Sequence, residues 1–360
     1  MTDPLLRIKP EVRRLRPYSL RFEAAQIKLN QNENPWDMPV AIKQETFRRL
    51  ENRLWSRYPE FVPSSLIGRL AKFSGWTETG TLVGNGSNEL IQAVLMATVS
   101  EGKKVLICEP TFTLYRQVAK LLGAEVVTVP LSQNLSYDVQ SMLKTIEDVQ
   151  PDVTIICSPN NPTGCAISST DLESILRASE GLVALDEAYI EFGSQTAIDL
   201  LRAHPNLIVL RTFSKALAMA ALRVGYLLAS PELATEISKA LLPYNLNCFS
   251  QTAAEVAIEM YQDQLKPRVE AILKERDRLF EEMRAIPGIE PIPTTANFIV
   301  VRSTIDPRRV FDELLRAGIL IRDVSGYPML RDFFRVSVGS PEENQLLLES
   351  LRNIFAAREL

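Results

Sequence analysis

The 360-residue sequence contains a single histidine, His204, followed directly by Pro205. A histidine-rich zinc site and a Ser-His-Asp triad both need imidazoles that this chain lacks, so no metal site is expected. Acid–base chemistry falls to Lys, Tyr, Asp or Glu. Cysteine is scarce too: Cys108, Cys157, Cys165 and Cys248 show no CxxC spacing, and three of them lie in or beside apolar, strand-like runs (VLIC, TIIC, NCF). Such thiols fit buried positions in a reducing cytoplasm better than a disulfide frame. No apolar run approaches the roughly 20 residues of a membrane helix, and the N-terminus has no apolar signal core, so a cytoplasmic protein without a membrane partner is expected. Neither charge dominates, since 40 Lys+Arg stand against 44 Asp+Glu for a net −4. Low-complexity tracts are missing, which excludes disorder as the basis of function.

The one basic stretch, residues 7–21 (RIKPEVRRLRPYSLR), is interrupted by Glu11, Pro10 and Pro17. It reads as a solvated arm, not as a transit peptide or a nucleic-acid arm. What the sequence does have is a 46% hydrophobic fraction over its 360 residues, enough for one large unit or two closely joined domains with ample core.

From about Thr81 to Ala229 short β-branched runs alternate with helical stretches: TLVG, KVLIC, EVVTV, VTIICS, LVALDEA, NLIVLRTF and RVGYLLA. The alternation predicts an α/β domain with a mostly parallel sheet flanked by helices. The runs show no polar alternation, which predicts strands buried on both faces. After Pro231 the spacing is helical through about Ala285. A second, smaller α+β pattern follows, with strands over Phe298–Val301, Ile319–Ile321 and Phe333–Val338, and helices over Pro307–Ala317 and Pro341–Ala357. The expected organisation is an N-terminal arm over 1–45 that wraps onto the small domain, a large domain over 46–260, and a small C-terminal domain over 261–360.

In open α/β sheets ligands collect beyond the carboxyl ends of strands, and the residues at those places form a series. Gly84-Asn85-Gly86-Ser87-Asn88-Glu89 opens a helix, a turn whose free amides suit a phosphate but which a plain turn explains about as well. Ser158-Pro159-Asn160-Asn161-Pro162-Thr163-Gly164 presents an asparagine amide, and Asp186-Glu187-Ala188-Tyr189 an acid and a phenol. Thr212-Phe213-Ser214-Lys215 and then Arg223 add two hydroxyls, an amine and a guanidinium. The apolar neighbours Phe213, Ala216, Leu217, Ala218 and Met219 would depress the Lys215 pKa and make its amine a nucleophile.

The spacing of these groups is the informative feature: Asp186 stands 25 residues after Asn161, and Lys215 stands 29 after Asp186. At this point the sequence resembles the fold-type I, pyridoxal-phosphate-dependent aminotransferases, and among them the histidinol-phosphate aminotransferase family. The resemblance runs through nearly the entire chain, in LNQNENP (Leu29–Pro35), RYPE (Arg57–Glu60), EPTFTLY, SPNNPTG, DEAYIEF, RTFSKA and FFRVSVG (Phe333–Gly339).

The resemblance implies the cofactor pyridoxal 5'-phosphate and a role for each residue. Lys215 would bond the cofactor and move the reacting proton, Asp186 would pair with the pyridine nitrogen, and Asn161 and Tyr189 would hydrogen-bond the phenolate oxygen. Phe112 would stack on the ring. Gly86, Ser87, Asn88, Thr212, Ser214 and Arg223 would hold the phosphate, joined by Tyr58 from the other subunit of a homodimer with shared sites. Arg335 would take the substrate anion, and Arg322 with Tyr18 would read a phosphate ester. Asn32 and Glu33 are candidates for the imidazole end. Two positions depart from the family pattern, Asn88 where an acid is usual and Ala221 where Gly is usual; neither removes a phosphate donor.

The implied activity is exchange of the amino group between histidinol phosphate and 2-oxoglutarate. Aromatic amino-acid aminotransferases and threonine-phosphate decarboxylases share fold and cofactor, so fold alone does not separate them. A cofactor-sensing transcription regulator would need an attached DNA-binding domain. Too few residues precede Leu29 for one, no basic recognition helix is apparent, and no nucleic-acid partner is expected.

Overall fold

The computed structural model describes residues 3–15, 17 and 23–356. A two-residue strand, β1 (Ile27–Lys28), comes first. The β-branched runs then form β2 (Thr81–Asn85), β3 (Lys104–Glu109), β4 (Glu125–Pro130), β5 (Val153–Cys157), β6 (Leu182–Asp186), β7 (Leu207–Thr212) and β8 (Val224–Leu228). These seven make one sheet in the order β2-β8-β7-β6-β5-β3-β4. Pairing is parallel from β7 through β4, and β8 runs antiparallel to both of its neighbours.

Successive side chains of a strand point to opposite faces, so apolar residues at every position demand cover on both. Val105, Ile155, Ile208 and Leu210 pack on one face with helices Ser87–Thr98 and Leu114–Leu121. Leu106, Ile156, Val183 and Val209 pack on the other with helices Val139–Val149, Ser169–Ala178 and Cys248–Glu259. Every residue of β5, β7 and β8 is buried. EVVTV is the exception: as β4 it closes the edge of the sheet, and only Val129 of the strand is buried. An apolar run reports attraction to the core but not position in the strand order.

The C-terminal elements are β9 (Ile289–Pro291), β10 (Phe298–Ser303), β11 (Ile319–Leu320), β12 (Arg322–Asp323) and β13 (Phe333–Ser337), with helices Pro307–Arg316 and Pro341–Ala356. A four-stranded antiparallel sheet, β12-β13-β10-β9, packs its Ile299, Val301, Phe334 and Val336 against these helices. Strand β1 pairs in parallel with β11, which carries the N-terminal segment onto this second core. Position 45 falls inside helix Val40–Leu50, whose Ile42 packs in the large-sheet core. Helix Lys266–Arg284 serves both cores, through Val269 and Ile272 at one end and Leu279 and Met283 at the other. Among the described residues no helix is long and apolar enough to cross a membrane.

Candidate active site

The carboxyl ends of β2, β3, β5, β6 and β7 meet the start of antiparallel β8 along one edge of the sheet, and a cavity of about 460 Å³ opens there. The chain passes outward from β3 to β4 and returns to β5 on the other side of β3. Such a reversal of strand order leaves a crevice beyond the strand ends. The loops after β3 and β5 supply Phe112 and Asn161 to its lining. Asn160 fastens these two loops together: its Nδ2 donates to the Pro110 carbonyl at 2.9 Å, and its Oδ1 accepts from Thr111 Oγ1 at 2.8 Å.

One end of the cavity is a ring of donors. Helix Ser87–Thr98 starts at Gly86, which has a left-handed φ of 76° and no side chain to cap the first amides. A Cβ on Gly86 would lie 2.3 Å from Arg223 Nη2, and one on Gly225 would lie 2.3 Å from Ser87 N. Only glycines let the guanidinium and β8 approach the helix start this closely. Arg223 Nη1 donates to Ser214 Oγ at 3.1 Å and to the Ala220 carbonyl at 3.2 Å, and Thr212 Oγ1 donates to Ser214 Oγ at 3.0 Å. Uncapped amides at a helix N-terminus, two hydroxyls and a guanidinium are the donor set of a phosphate site. Asn88 lines the same wall, as does Ala221.

The other end holds the titratable groups. Asp186 is 3% exposed at the end of β6. Its Oδ2 accepts from Tyr115 OH at 2.7 Å and its Oδ1 from the Ala188 amide at 3.0 Å. Burial pushes its pKa up to about 6, while the Tyr115 hydrogen bond acts in the opposite direction. Lys215 Nζ donates to the Gln31 carbonyl at 2.8 Å and sits 5.9 Å from the centre of the Tyr189 ring. Burial, reinforced by the Arg335 guanidinium, brings the Lys215 pKa down to about 8. Tyr189 OH accepts from Asn32 Nδ2 at 3.0 Å. Arg335 donates through Nη1 to Asn161 Oδ1 and through Nη2 to the Asn30 carbonyl, the latter at 3.0 Å.

A lowered amine pKa means that Lys215 loses its proton on passing about pH 8, well before an ordinary lysine does. In the cofactor-free protein, competitive acetylation followed by peptide mass analysis should give Lys215 a half-maximal reactivity near pH 8. Exposed lysines such as Lys144 should still be climbing above pH 10. A Lys215 profile that tracks the exposed lysines would remove the amine from the role of a nucleophile.

The lining therefore brings together Ser87, Asn88, Phe112, Asn161, Asp186, Tyr189, Thr212, Ser214, Lys215, Arg223, Arg322 and Arg335, with Asn32 and Glu33. Tyr58 is not among them: it is 81% exposed and stacks on Tyr244 with ring centres 4.6 Å apart. Tyr18 lies outside the described residues. The Asn32 amide is engaged by Tyr189 and its backbone N–H by Ser337 Oγ at 2.8 Å, and its φ of 55° fits the tight path between the two cores. Sequence reasoning passed over Tyr115, Tyr327 and the carbonyls of Asn30 and Gln31. Tyr115 had a signal, three residues after Phe112 on the first turn of a helix, where i and i+3 share a face. The carbonyls had none, because every residue has one. Glu187, the second acid of DEAY, turns away from the cavity and pairs with Arg211 at 2.8 Å.

The family model for aminotransferase class I and II matches residues 24–351. The chain belongs to this family. A curated relative, the histidinol-phosphate aminotransferase of Chlorobaculum tepidum, is 38% identical over 349 residues, spanning 96% of this chain and all of the relative. Among solved structures, the histidinol-phosphate aminotransferase of Clostridium acetobutylicum superposes with a TM-score of 0.84 at 27% identity, covering 92% of this chain and 99% of the other. The Sinorhizobium meliloti histidinol-phosphate aminotransferase, solved in complex with pyridoxal-5'-phosphate, gives a TM-score of 0.87 at 24% identity, with 98% of each chain covered. These aminotransferases share the α/β fold described above.

Proposed function

We propose that this aminotransferase uses pyridoxal 5'-phosphate to exchange an amino group between L-histidinol phosphate and 2-oxoglutarate, a reaction of histidine biosynthesis. The observation that carries the substrate is a pair of arginines. Arg322 and Arg335 are directly opposed partners across β12 and β13, so their side chains leave the same face of the small sheet, and both line the cavity. Two guanidiniums on one wall suit a phosphate ester, which carries up to two charges, better than a carboxylate, which carries one. The relatives' names support the same reading.

The site fits the cofactor. The donors around Gly86, Ser214 and Arg223 match a phosphate, and buried Asp186 matches a protonated ring nitrogen. When bound, pyridoxal phosphate supplies a ring that accepts negative charge from the substrate carbon. Lys215 Nζ would hold the cofactor and then, as a free amine, take the substrate Cα proton and deliver it to the cofactor C4′. Tyr189 OH, which already accepts from Asn32, keeps its own proton to donate to the phenolate oxygen. Phe112 would cover the ring face. Asn161, held by Arg335, would sit between the ring oxygen and the substrate anion. Over the two half-reactions the substrates would exchange amine for carbonyl oxygen, histidinol phosphate becoming the ketone and 2-oxoglutarate becoming glutamate in the same site.

Arg322→Ala should depress kcat/KM for histidinol phosphate by roughly ten- to a hundredfold, the equivalent of about 1.5–3 kcal/mol for one charge-assisted hydrogen bond. The loss for glutamate or phenylalanine should be smaller, whereas Arg335→Ala should harm every substrate. Equal losses for histidinol phosphate and phenylalanine in the Arg322 variant would favour an aromatic aminotransferase.

The reading includes a cytoplasmic homodimer in which Tyr58 reaches the neighbouring subunit's phosphate end. Its support is an exposed apolar and aromatic group, with Leu54 and Trp55 beside Tyr58 and its partner Tyr244, standing away from the cavity of its own chain. Lys215→Ala and Tyr58→Ala subunits, inactive or impaired alone, should regain activity when co-expressed. Each heterodimer then has one site with both lesions and one with neither. Activity no greater than the sum of the parents would place Tyr58 within its own subunit's chemistry, or outside it.

A further inference from the structure

Tyr115, the last residue of EPTFTLY, is given no role by the resemblance. Tyr115 is completely buried, and its phenol reaches Asp186 Oδ2 at 2.7 Å while its ring stands edge-on to Phe112, with centres 5.6 Å apart and planes at 87°. Helix Leu114–Leu121 brings it there on its first turn. We propose that Tyr115 is a positioning residue of this aminotransferase: by donating to Asp186 it keeps that carboxylate a weak base, so that a proton shared with the cofactor's ring nitrogen stays on the nitrogen.

Few groups can stabilise a charge on buried Asp186. Four titratable side chains act on its charge: Tyr115 from the helix, Cys157 from β5, Tyr189 from the following loop, and Glu187, next in the chain, which itself turns away to Arg211. Burial raises the pKa of Tyr115, Cys157 and Tyr189, so these groups stay neutral across the working range. Glu187 adds like charge and pushes the Asp186 pKa up. Against burial and Glu187 stand two hydrogen bonds, from Tyr115 OH and the Ala188 amide, and the phenol is the larger influence. A hydrogen bond to the charged form of an acid favours that form. Without the phenol, Asp186 becomes a stronger base and draws the nitrogen proton onto itself, which leaves the ring a poorer acceptor of charge. The edge contact with Phe112 ties the carboxylate's orientation to the ring that covers the cofactor.

This inference rests on the function proposed above, and its test separates the two. Aspartate labelled with 13C at Cγ gives Asp186 a resonance in the cofactor-free protein, identified by its loss in Asp186→Asn. Tyr115→Phe should move the midpoint of that resonance upward by about one to two pH units, the scale of a lost hydrogen bond to an ionised group. In the loaded enzyme the same variant should lower kcat while leaving KM for the amino donor little changed. An unmoved midpoint in a folded variant would reduce Tyr115 to a packing residue and overturn the proposal. Should Tyr115→Phe not fold, wild-type protein made with 3-fluorotyrosine, whose phenol is the stronger donor, should move the midpoint downward. No movement there overturns the proposal equally. Failure of the wild type to take up pyridoxal phosphate, or to transaminate any donor, would instead contradict the proposed function.

Discussion

Replacing Lys215 with alanine is expected to lower turnover by roughly 10⁴-fold or more, the upper end of what a positioned acid–base group contributes, because the same change removes the only amine that the described residues place in the cavity lining. The variant should nevertheless bind pyridoxal phosphate without a covalent link. The donors around Gly86, Thr212, Ser214 and Arg223 are independent of the amine, and Asp186 is held by Tyr115 and Ala188. Borohydride reduction of the wild type followed by peptide mapping checks the assignment, since the modified peptide must contain Lys215. A label elsewhere would remove Lys215 from the site. Because the amine is neutral only above about pH 8 when free of cofactor, uptake by the wild type should also slow as pH falls below that value.

Asp186→Asn is expected to have the second-largest effect. The amide has the shape of the carboxylate but no charge, so it cannot hold a proton on a ring nitrogen. The carboxylate is buried, and removing one partner of a buried charged pair costs about 3–5 kcal/mol, which corresponds to roughly two to four orders of magnitude in rate. Cofactor affinity should fall less than turnover, because the donors from Ser87, Thr212, Ser214 and Arg223 remain in place. The checks are single-turnover kinetics beside a cofactor titration. Near-normal turnover would mean that Asp186 only terminates β6.

Most of the architecture was legible because buried strands leave uninterrupted β-branched runs and because the chemistry follows their carboxyl ends. The same rule points to Asn161, Asp186, Thr212 and Lys215, all of which line the cavity. It could not rank strands across the sheet, so EVVTV looked as central as VTIIC although β4 lies on the edge with most of its side chains in reach of water. Short pairings were also hidden: β1 and β11 contribute two residues each and exist only because a distant segment supplies the partner. Within the site, side chains with rare chemistry announced themselves, whereas Gln31 and Asn30 act through carbonyls that carry no signature. DEAY shows the opposite difficulty, two adjacent acids of which alternation along the strand end sends Asp186 into the cavity and Glu187 to Arg211.

Selection of a phosphate ester amine by the paired Arg322 and Arg335 is the decisive feature of the proposed function. The most direct measurement is the half-reaction of the pyridoxal-phosphate-loaded enzyme with histidinol phosphate, phenylalanine, tyrosine, glutamate and threonine phosphate, each added alone while the cofactor absorbance is followed. Rapid conversion to the pyridoxamine form is expected with histidinol phosphate and with glutamate, and slow conversion with the aromatic amino acids. Faster conversion with phenylalanine or tyrosine than with histidinol phosphate, or release of carbon dioxide from threonine phosphate, would contradict it.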